Sequence, residues 1–377
     1  MKYMGSKRAM LEVGLAEVIE AEMPRCRRFY DLFTGSGSVA CYVAENYQVE
    51  VVATDLQEYA AVLARSVIGR SEATSFDSWA PEWIAAAVAR AERHPDAISL
   101  ANLQTRLTVG KLPRQASRAR KLSAVSSSDF VRAYGGWYFS PWQAILLDSL
   151  RQEADANAFW YDIAVASVIQ AASRCVAAPG HTAQPFKADT GAAPYLLESW
   201  QKDIVAQVTV SAASLSERRA CIKGEAYSAN ANEVALNLQE GDVAFLDPPY
   251  SSVHYSRFYH VLESIARGTV GEVSGMGRYP APEHRPSSDY SIPTRSKDAI
   301  YQLLTRIADT GATAIVTFPS SETSNRLSGE EISRMAEDRF RIGKTRVHSR
   351  FSTMGGNHKH RSARHDTEEL ILTLYPK

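Results

Sequence analysis

Four consecutive residues carry the most specific chemistry in this chain: Asp247-Pro248-Pro249-Tyr250, directly after the apolar run Val243-Ala244-Phe245-Leu246. The two prolines fix φ and give up their own N–H donors, so such a turn presents acceptors in a rigid arrangement. The Asp247 carboxylate and the Pro248 carbonyl are suited to take the two N–H bonds of an exocyclic amine. Those bonds would turn a lone pair otherwise delocalised into a base ring toward an electrophilic sulfonium methyl. Tyr250 offers a flat face for a base taken out of its stack. Alignment of nitrogen, carbon and sulfur should supply most of the rate, and no metal is called for.

A second constellation lies near the amino end. Gly35-Ser36-Gly37-Ser38-Val39-Ala40 fits GxGxxG/A after the run Phe29-Tyr30-Asp31-Leu32-Phe33, and Asp55 closes the following run from Val49. Glycines permit a tight turn and a close backbone approach to a ligand, and an acid at the end of the next strand suits two ribose hydroxyls. Asp31 separates two ligand classes. Just before the glycines it suits the ammonium of a methionine moiety and would repel a pyrophosphate seated on the helix.

These turns need strands to place them. Strand, turn, helix and strand over 26–70 open a parallel α/β sheet. Sheet character returns at Ile204–Val210, Ala220–Lys223, Val243–Leu246, Thr313–Phe318 and Leu370–Tyr375, with helices predicted at 258–267, 297–309 and 329–338. Between them lie Ala-rich helical patterns at 79–92 and 142–177, a Ser-rich basic linker near 114–128, and the aromatics Tyr134, Trp137, Tyr138, Phe139 and Trp142. The expected fold is α/β: a doubly wound, mostly parallel, Rossmann-like sheet with an inserted, largely helical region. Residues 1–71 and 201–377 would form the cofactor-binding catalytic domain. Residues 72–200 would be the insertion and the candidate target-recognition domain.

At this point the motifs resemble a family. Lys2-Tyr3-Met4-Gly5-Ser6-Lys7-Arg8, Asp31-Leu32-Phe33-Thr34-Gly35-Ser36-Gly37, Thr54-Asp55-Leu56 and Leu246–Tyr250 with the helix after it are similar to motifs of the Dam-like adenine-N6 DNA methyltransferases of the alpha arrangement. The resemblance is strongest to the modification methylases of the FokI type. It covers about the first 60 residues and 220–377. It implies S-adenosyl-L-methionine as cofactor, with Tyr3, Met4, Gly5 and Lys7 at its methionine end and Asp31, Phe33, Gly35 and Gly37 beside it. Asp55 and Leu56 would meet the ribose, Glu225 and Ala226 the adenine, where the family often has an aspartate, and Asp247 the reacting end. The acceptor implied is a flipped adenine in double-stranded DNA. The same acceptor pair would also serve the N4 amine of cytosine, or RNA. A non-catalytic binding module and an NAD-dependent oxidoreductase need no Asp-Pro-Pro-Tyr.

Charge bears on the partner. With 42 basic and 42 acidic side chains the chain is formally neutral, which by itself advertises no polyanion. Two stretches are nevertheless free of acids, 97–128 and 341–365. They supply the candidate phosphate contacts Arg114, Arg118, Arg120 and Lys121, then Arg350, Lys359 and Arg361. His254, Tyr255 and Arg257, after the catalytic turn, are candidates for the base pocket. His358 and His360 have no carboxylate or thiolate beside them, so phosphate contact suits them better than metal. Cys26, Cys41, Cys175 and Cys221 form no CxxC pair, so reduced thiols are expected. No apolar run spans a bilayer and no signal peptide is evident, so the expected location is the cytoplasm. No nuclease-like cluster stands out. A restriction or defence role would therefore require a separate partner protein.

Overall fold

The computed structural model describes residues 7–95, 97–156, 159–352 and 364–377, with backbone only for 349–352 and 364–367. The chain divides into two compact units, one built from 73–218 with 256–285 and the other from 7–72, 219–255 and 286–377.

The second unit holds the sheet. Its strands are β1 (Arg28–Asp31), β2 (Glu50–Asp55), β3 (Glu225–Ser228) and β4 (Val243–Leu246). After a short ribbon in the other unit, β5 (Val273–Ser274) with β6 (Tyr279–Pro280), it continues with β7 (Thr313–Pro319), β8 (Phe340–Ser352) and β9 (Arg364–Pro376). Among the described residues the order is β3-β2-β1-β4-β7-β9-β8. The first five strands in that order are parallel, and β9 runs against both its neighbours. Parallel strands covered on both faces read as unbroken apolar runs, and all four residues of β4 are buried. Helix Ser38–Asn46 crosses from β1 to β2, and helix Glu58–Ile68 follows β2. Strand order reverses between β1 and β4. A doubly wound sheet opens its binding crevice at the carboxyl ends of such a pair.

The first unit is largely helical and departs from expectation in two places. Residues 204–210 are not a strand but the start of helix Ile204–Glu217. Asp203 caps that helix by accepting from the Ala206 N–H at 3.1 Å. Its valines suggested a strand, yet Ile204, Val208, Ser211, Ala212 and Leu215 are buried at helical spacing. The basic linker is helix Leu112–Ala124. Leu112, Ala116, Ala119 and Ser123 face inward, and Arg114, Arg118 and Lys121 lie on its exposed face. The pattern over 142–177 is two helices, Pro141–Ala154 and Tyr161–Cys175, the first opened by a Ser140–Gln143 capping box.

β3 is displaced as well. Residues 220–223 are not strand: Ala220 and Cys221 donate to the Arg70 and Ala44 carbonyls, and the ladder begins only at Glu225.

Phe245, 1% exposed, sits in the strand that pairs with both β1 and β7. Phe245→Ala should lower unfolding free energy by about 3–5 kcal/mol. Urea denaturation followed by circular dichroism measures the loss.

Candidate active site

The glycine turn is built around two carboxylates. Asp31 ends β1 and is buried. Its Oδ1 accepts from the Phe33 N–H at 3.4 Å and its Oδ2 from the Ala40 N–H at 3.2 Å, in the first turn of helix Ser38–Asn46. Asp55 ends β2, accepting from the Gly35 N–H at 2.9 Å and from the Gln57 N–H at 3.0 Å. Gly35 and Gly37 have φ of 52° and 73°, backbone positions that a Cβ would strain. Beside Asp55 in the chain, the Gln57 Oε1 and Thr54 Oγ1 are buried without a hydrogen-bond partner among the described residues.

The Asp-Pro-Pro-Tyr turn leaves the carboxyl end of β4, one strand from Asp31. Asp247 is held through one oxygen. Its Oδ1 accepts from the Thr317 hydroxyl on β7 at 3.0 Å and lies 3.0 Å from the Lys7 Nζ. Among the described residues no donor reaches Asp247 Oδ2 or the Pro248 carbonyl. The Pro249 carbonyl is occupied: it accepts from Asn325 Nδ2 at 2.7 Å. That amide also donates to the Tyr290 carbonyl at 2.9 Å, and the Tyr290 ring packs edge-on against Phe33 at 5.0 Å. A chain of packed groups thus ties the Asp-Pro-Pro-Tyr turn to the glycine turn. The Tyr250 ring stands edge-on to Phe318.

Electrostatics at this edge are unbalanced. Burial pushes the Asp31 carboxyl up to about 8, with the Asp247 and Asp55 charges adding to it and the Phe33 and Ala40 N–H groups opposing it. Asp247 is pushed up to about 6 by burial, helped by Glu369 and opposed by Lys7 and Thr317. Burial alone would pull the Lys7 ammonium down. Asp247 and Glu369 more than reverse this and hold it above its ordinary range. Carboxylates raised by crowding and burial are a site that a cationic ligand would relieve. The ammonium and sulfonium of S-adenosylmethionine fit that description, and the unpartnered Gln57 and Thr54 oxygens fit the hydroxyl and amine donors of a nucleoside.

The structure therefore brings Asp31, Phe33, Gly35, Gly37, Asp55, Leu56 and the Asp247–Tyr250 turn to one edge of the sheet. Lys7 is there too, but it pairs with carboxylates of the chain itself rather than standing open as a clamp for a ligand carboxylate. Glu225 and Ala226 need correcting. Glu225 is exposed at the amino end of β3, opposite Val52, and Ser228 is the residue that faces Asp55. Three residues of strand span roughly 10 Å, so reading the strand over 220–223 put Glu225 at the wrong end. Tyr3, Met4 and Gly5 lie outside the described residues. Sequence reasoning missed Thr317, Asn325 and Glu369, none of which belongs to a contiguous motif.

The candidate DNA contacts separate. Arg114, Arg118 and Lys121 are exposed on one helix face, whereas Arg120 lies over the Trp137 ring at 3.9 Å and donates to the Gly136 carbonyl. His254 accepts from the Ser288 N–H at 3.4 Å, Tyr255 is half-buried, and Arg257 donates to the Tyr279 hydroxyl. In the second basic stretch, Lys344 and Arg346 pair with Glu330, and Arg346 also with Glu368. That stretch is acid-free in sequence but not in space. The Arg350 side chain, Lys359 and Arg361 lie outside what is described, as do His358 and His360.

A doubly wound sheet with a glycine turn on β1 and a half-anchored Asp-Pro-Pro-Tyr on β4 defines the Rossmann-like amino-methyltransferases. Comparison with known proteins points the same way: residues 3–91 and 197–278 match the model of the D12 class N6 adenine-specific DNA methyltransferases. It is 23% identical over 290 residues to modification methylase LlaI of Lactococcus lactis subsp. lactis, covering 73% of this chain and 40% of that protein. Identity is also 23% to the type II methyltransferases M.NlaIII of Neisseria lactamica, over 71% of this chain and 69% of that one, and M.FokI of Planomicrobium okeanokoites, over 73% and 38%. The chain thus spans about two fifths of the length of two of these relatives. Among the described residues no helix is long and apolar enough to cross a membrane.

Asn325→Ala would leave the Pro249 and Tyr290 carbonyls without their donor. A loss of about 2–4 kcal/mol is expected from two such groups, read as a lowered urea midpoint.

Proposed function

We propose that the chain methylates the N6 amine of adenine in double-stranded DNA, with S-adenosyl-L-methionine as donor. One observation carries the reading: among the described residues Asp247 is anchored through Oδ1 alone, with Oδ2 and the neighbouring Pro248 carbonyl as two open acceptors on a rigid turn. An amine with two N–H bonds satisfies both. Asp31 would hold the methionine ammonium, the backbone at Gly35 and Gly37 would pass close to the cofactor, and Asp55 would take the ribose hydroxyls. When bound, the cofactor would supply a sulfonium methyl, so that an N–C bond forms as the C–S pair returns to sulfur.

The residues of the chain do the rest. Asp247 Oδ2 and the Pro248 carbonyl orient the nitrogen and draw its N–H bonds into the turn, freeing the lone pair. Tyr250 would cover the face of the flipped base. A carboxyl held at about 6 is poised to take the proton that the methylated nitrogen sheds. The class name, N6 adenine-specific, favours adenine over cytosine and DNA over RNA.

The catalytic part is assigned to the unit of 7–72, 219–255 and 286–377, rather than to all of 1–71 and 201–377, and the reading of the target to the largely helical unit, with Arg114, Arg118 and Lys121 on phosphates. A cytoplasmic setting and a separate restriction or defence partner go with this reading, since the relatives are named as modification or type II enzymes.

Asp247→Ala should abolish N6-methyladenine formation, measured by mass spectrometry of digested DNA, while calorimetry still detects cofactor binding; unchanged activity would refute the assignment. Arg114→Ala with Arg118→Ala should weaken DNA binding at every sequence. Its dependence on log salt should flatten by about 0.9 for each phosphate that is no longer neutralised, as fluorescence anisotropy would report.

A further inference from the structure

Lys7 is shared. Its Nζ lies 3.0 Å from Asp247 Oδ1 and 3.0 Å from Glu369 Oε2, and Lys7 and Glu369 are 6% and 2% exposed. Three adjacent strands supply the groups around Lys7. Asp247 follows β4, Thr317 stands on β7, and Glu369 lies on β9 opposite Pro319. Neutralising Asp247 would require only Lys7. A second buried carboxylate costs desolvation and leaves Lys7 and the two carboxylates with a formal charge of −1, which makes sense where positive charge must arrive. An amine nitrogen becomes positive as it takes a methyl group. A simple Lys7–Asp247 pair would cancel the field that Asp247 turns toward it.

We propose that Glu369 is a positioning residue for the methyl-transfer site: by holding part of the Lys7 ammonium, it fixes Asp247 through one oxygen while leaving that carboxylate's charge available to the amine. The inference rests on the reading of Asp247 given above. Besides Lys7 and Glu369, the titratable group bearing on Asp247 is Asp31, on β1, which in turn senses Asp55.

The test compares Glu369→Gln and Glu369→Asp with the wild type in the pH profile of kcat/KM for DNA. The Glu369 charge holds the Asp247 carboxyl up. Its removal leaves the ammonium to Asp247 alone, so Asp247 must ionise at lower pH. In Glu369→Gln the acid limb should therefore move down by about one pH unit. The plateau rate should fall on the order of tenfold, less than for loss of a group in direct contact. Glu369→Asp, which keeps the charge, should leave the limb where the wild type has it. Carboxyl 13C resonances, with Asp247 assigned from the Asp247→Asn spectrum, should show the same displacement without recourse to turnover.

A Glu369→Gln protein that melts normally with an unmoved limb and resonance would overturn the proposal. So would a Glu369→Asp limb displaced as far as that of Glu369→Gln, or a Glu369→Gln chain that does not fold, which would assign the carboxylate to stability. A wild type that methylates no adenine would sink the parent reading instead, while the 13C titration would still decide whether Glu369 sets the ionisation of Asp247.

Discussion

A carboxylate anchored through one oxygen keeps the whole of the other available to a further donor. Among the described residues Asp247 is held in this way, and much of the sheet's carboxyl edge is arranged around it. Thr317 and Lys7 converge on Oδ1, and Lys7 is itself steadied by Glu369. The turn that carries Asp247 is fastened one peptide further on, where Asn325 takes the Pro249 carbonyl, while no donor among the described residues takes that of Pro248. The cost is a cluster of buried charges whose desolvation no single ion pair offsets. It is tolerable because the members partner one another, Lys7 with both carboxylates, and Thr317 on β7 adds a hydroxyl to Asp247.

This division between contiguous motif and distant support explains what the sequence disclosed. The glycine turn, Asp55 and Asp-Pro-Pro-Tyr are legible because each is a short run directly after an apolar strand, and a parallel sheet sends all such ends to one side. Lys7 and Glu369 are 362 residues apart, and Thr317, Asn325 and Glu369 are brought in by strand register and loop packing, which no local spacing encodes. The errors in secondary structure have equally local causes. Valines in 204–210 mimic a strand where a capped helix buries one face. Reading β3 five residues early moved Glu225 from the amino end of its strand to the cofactor edge.

Charge patterning shows the same limit. A run without acids says nothing about acids that fold against it: Lys344 and Arg346 find Glu330 and Glu368 from other segments. Helix Leu112–Ala124 differs because its buried face is apolar, so Arg114, Arg118 and Lys121 are left together on the other side. Spacing within one helix conveys that arrangement; composition alone does not.

The insertion leaves the sheet's geometry intact because its ends are closed locally. On the sheet side the Ala220 N–H donates to the Arg70 carbonyl at 3.0 Å, and within the helical unit the Thr74 N–H donates to the Ser216 carbonyl at 3.0 Å. Chain leaving near 72 and returning near 219 is therefore, for the β2 to β3 connection, a loop with joined ends, and loop length costs stability only logarithmically. The sheet fixes where Asp31, Asp55 and Asp247 stand. What the helical unit presents on its surface can change without moving them.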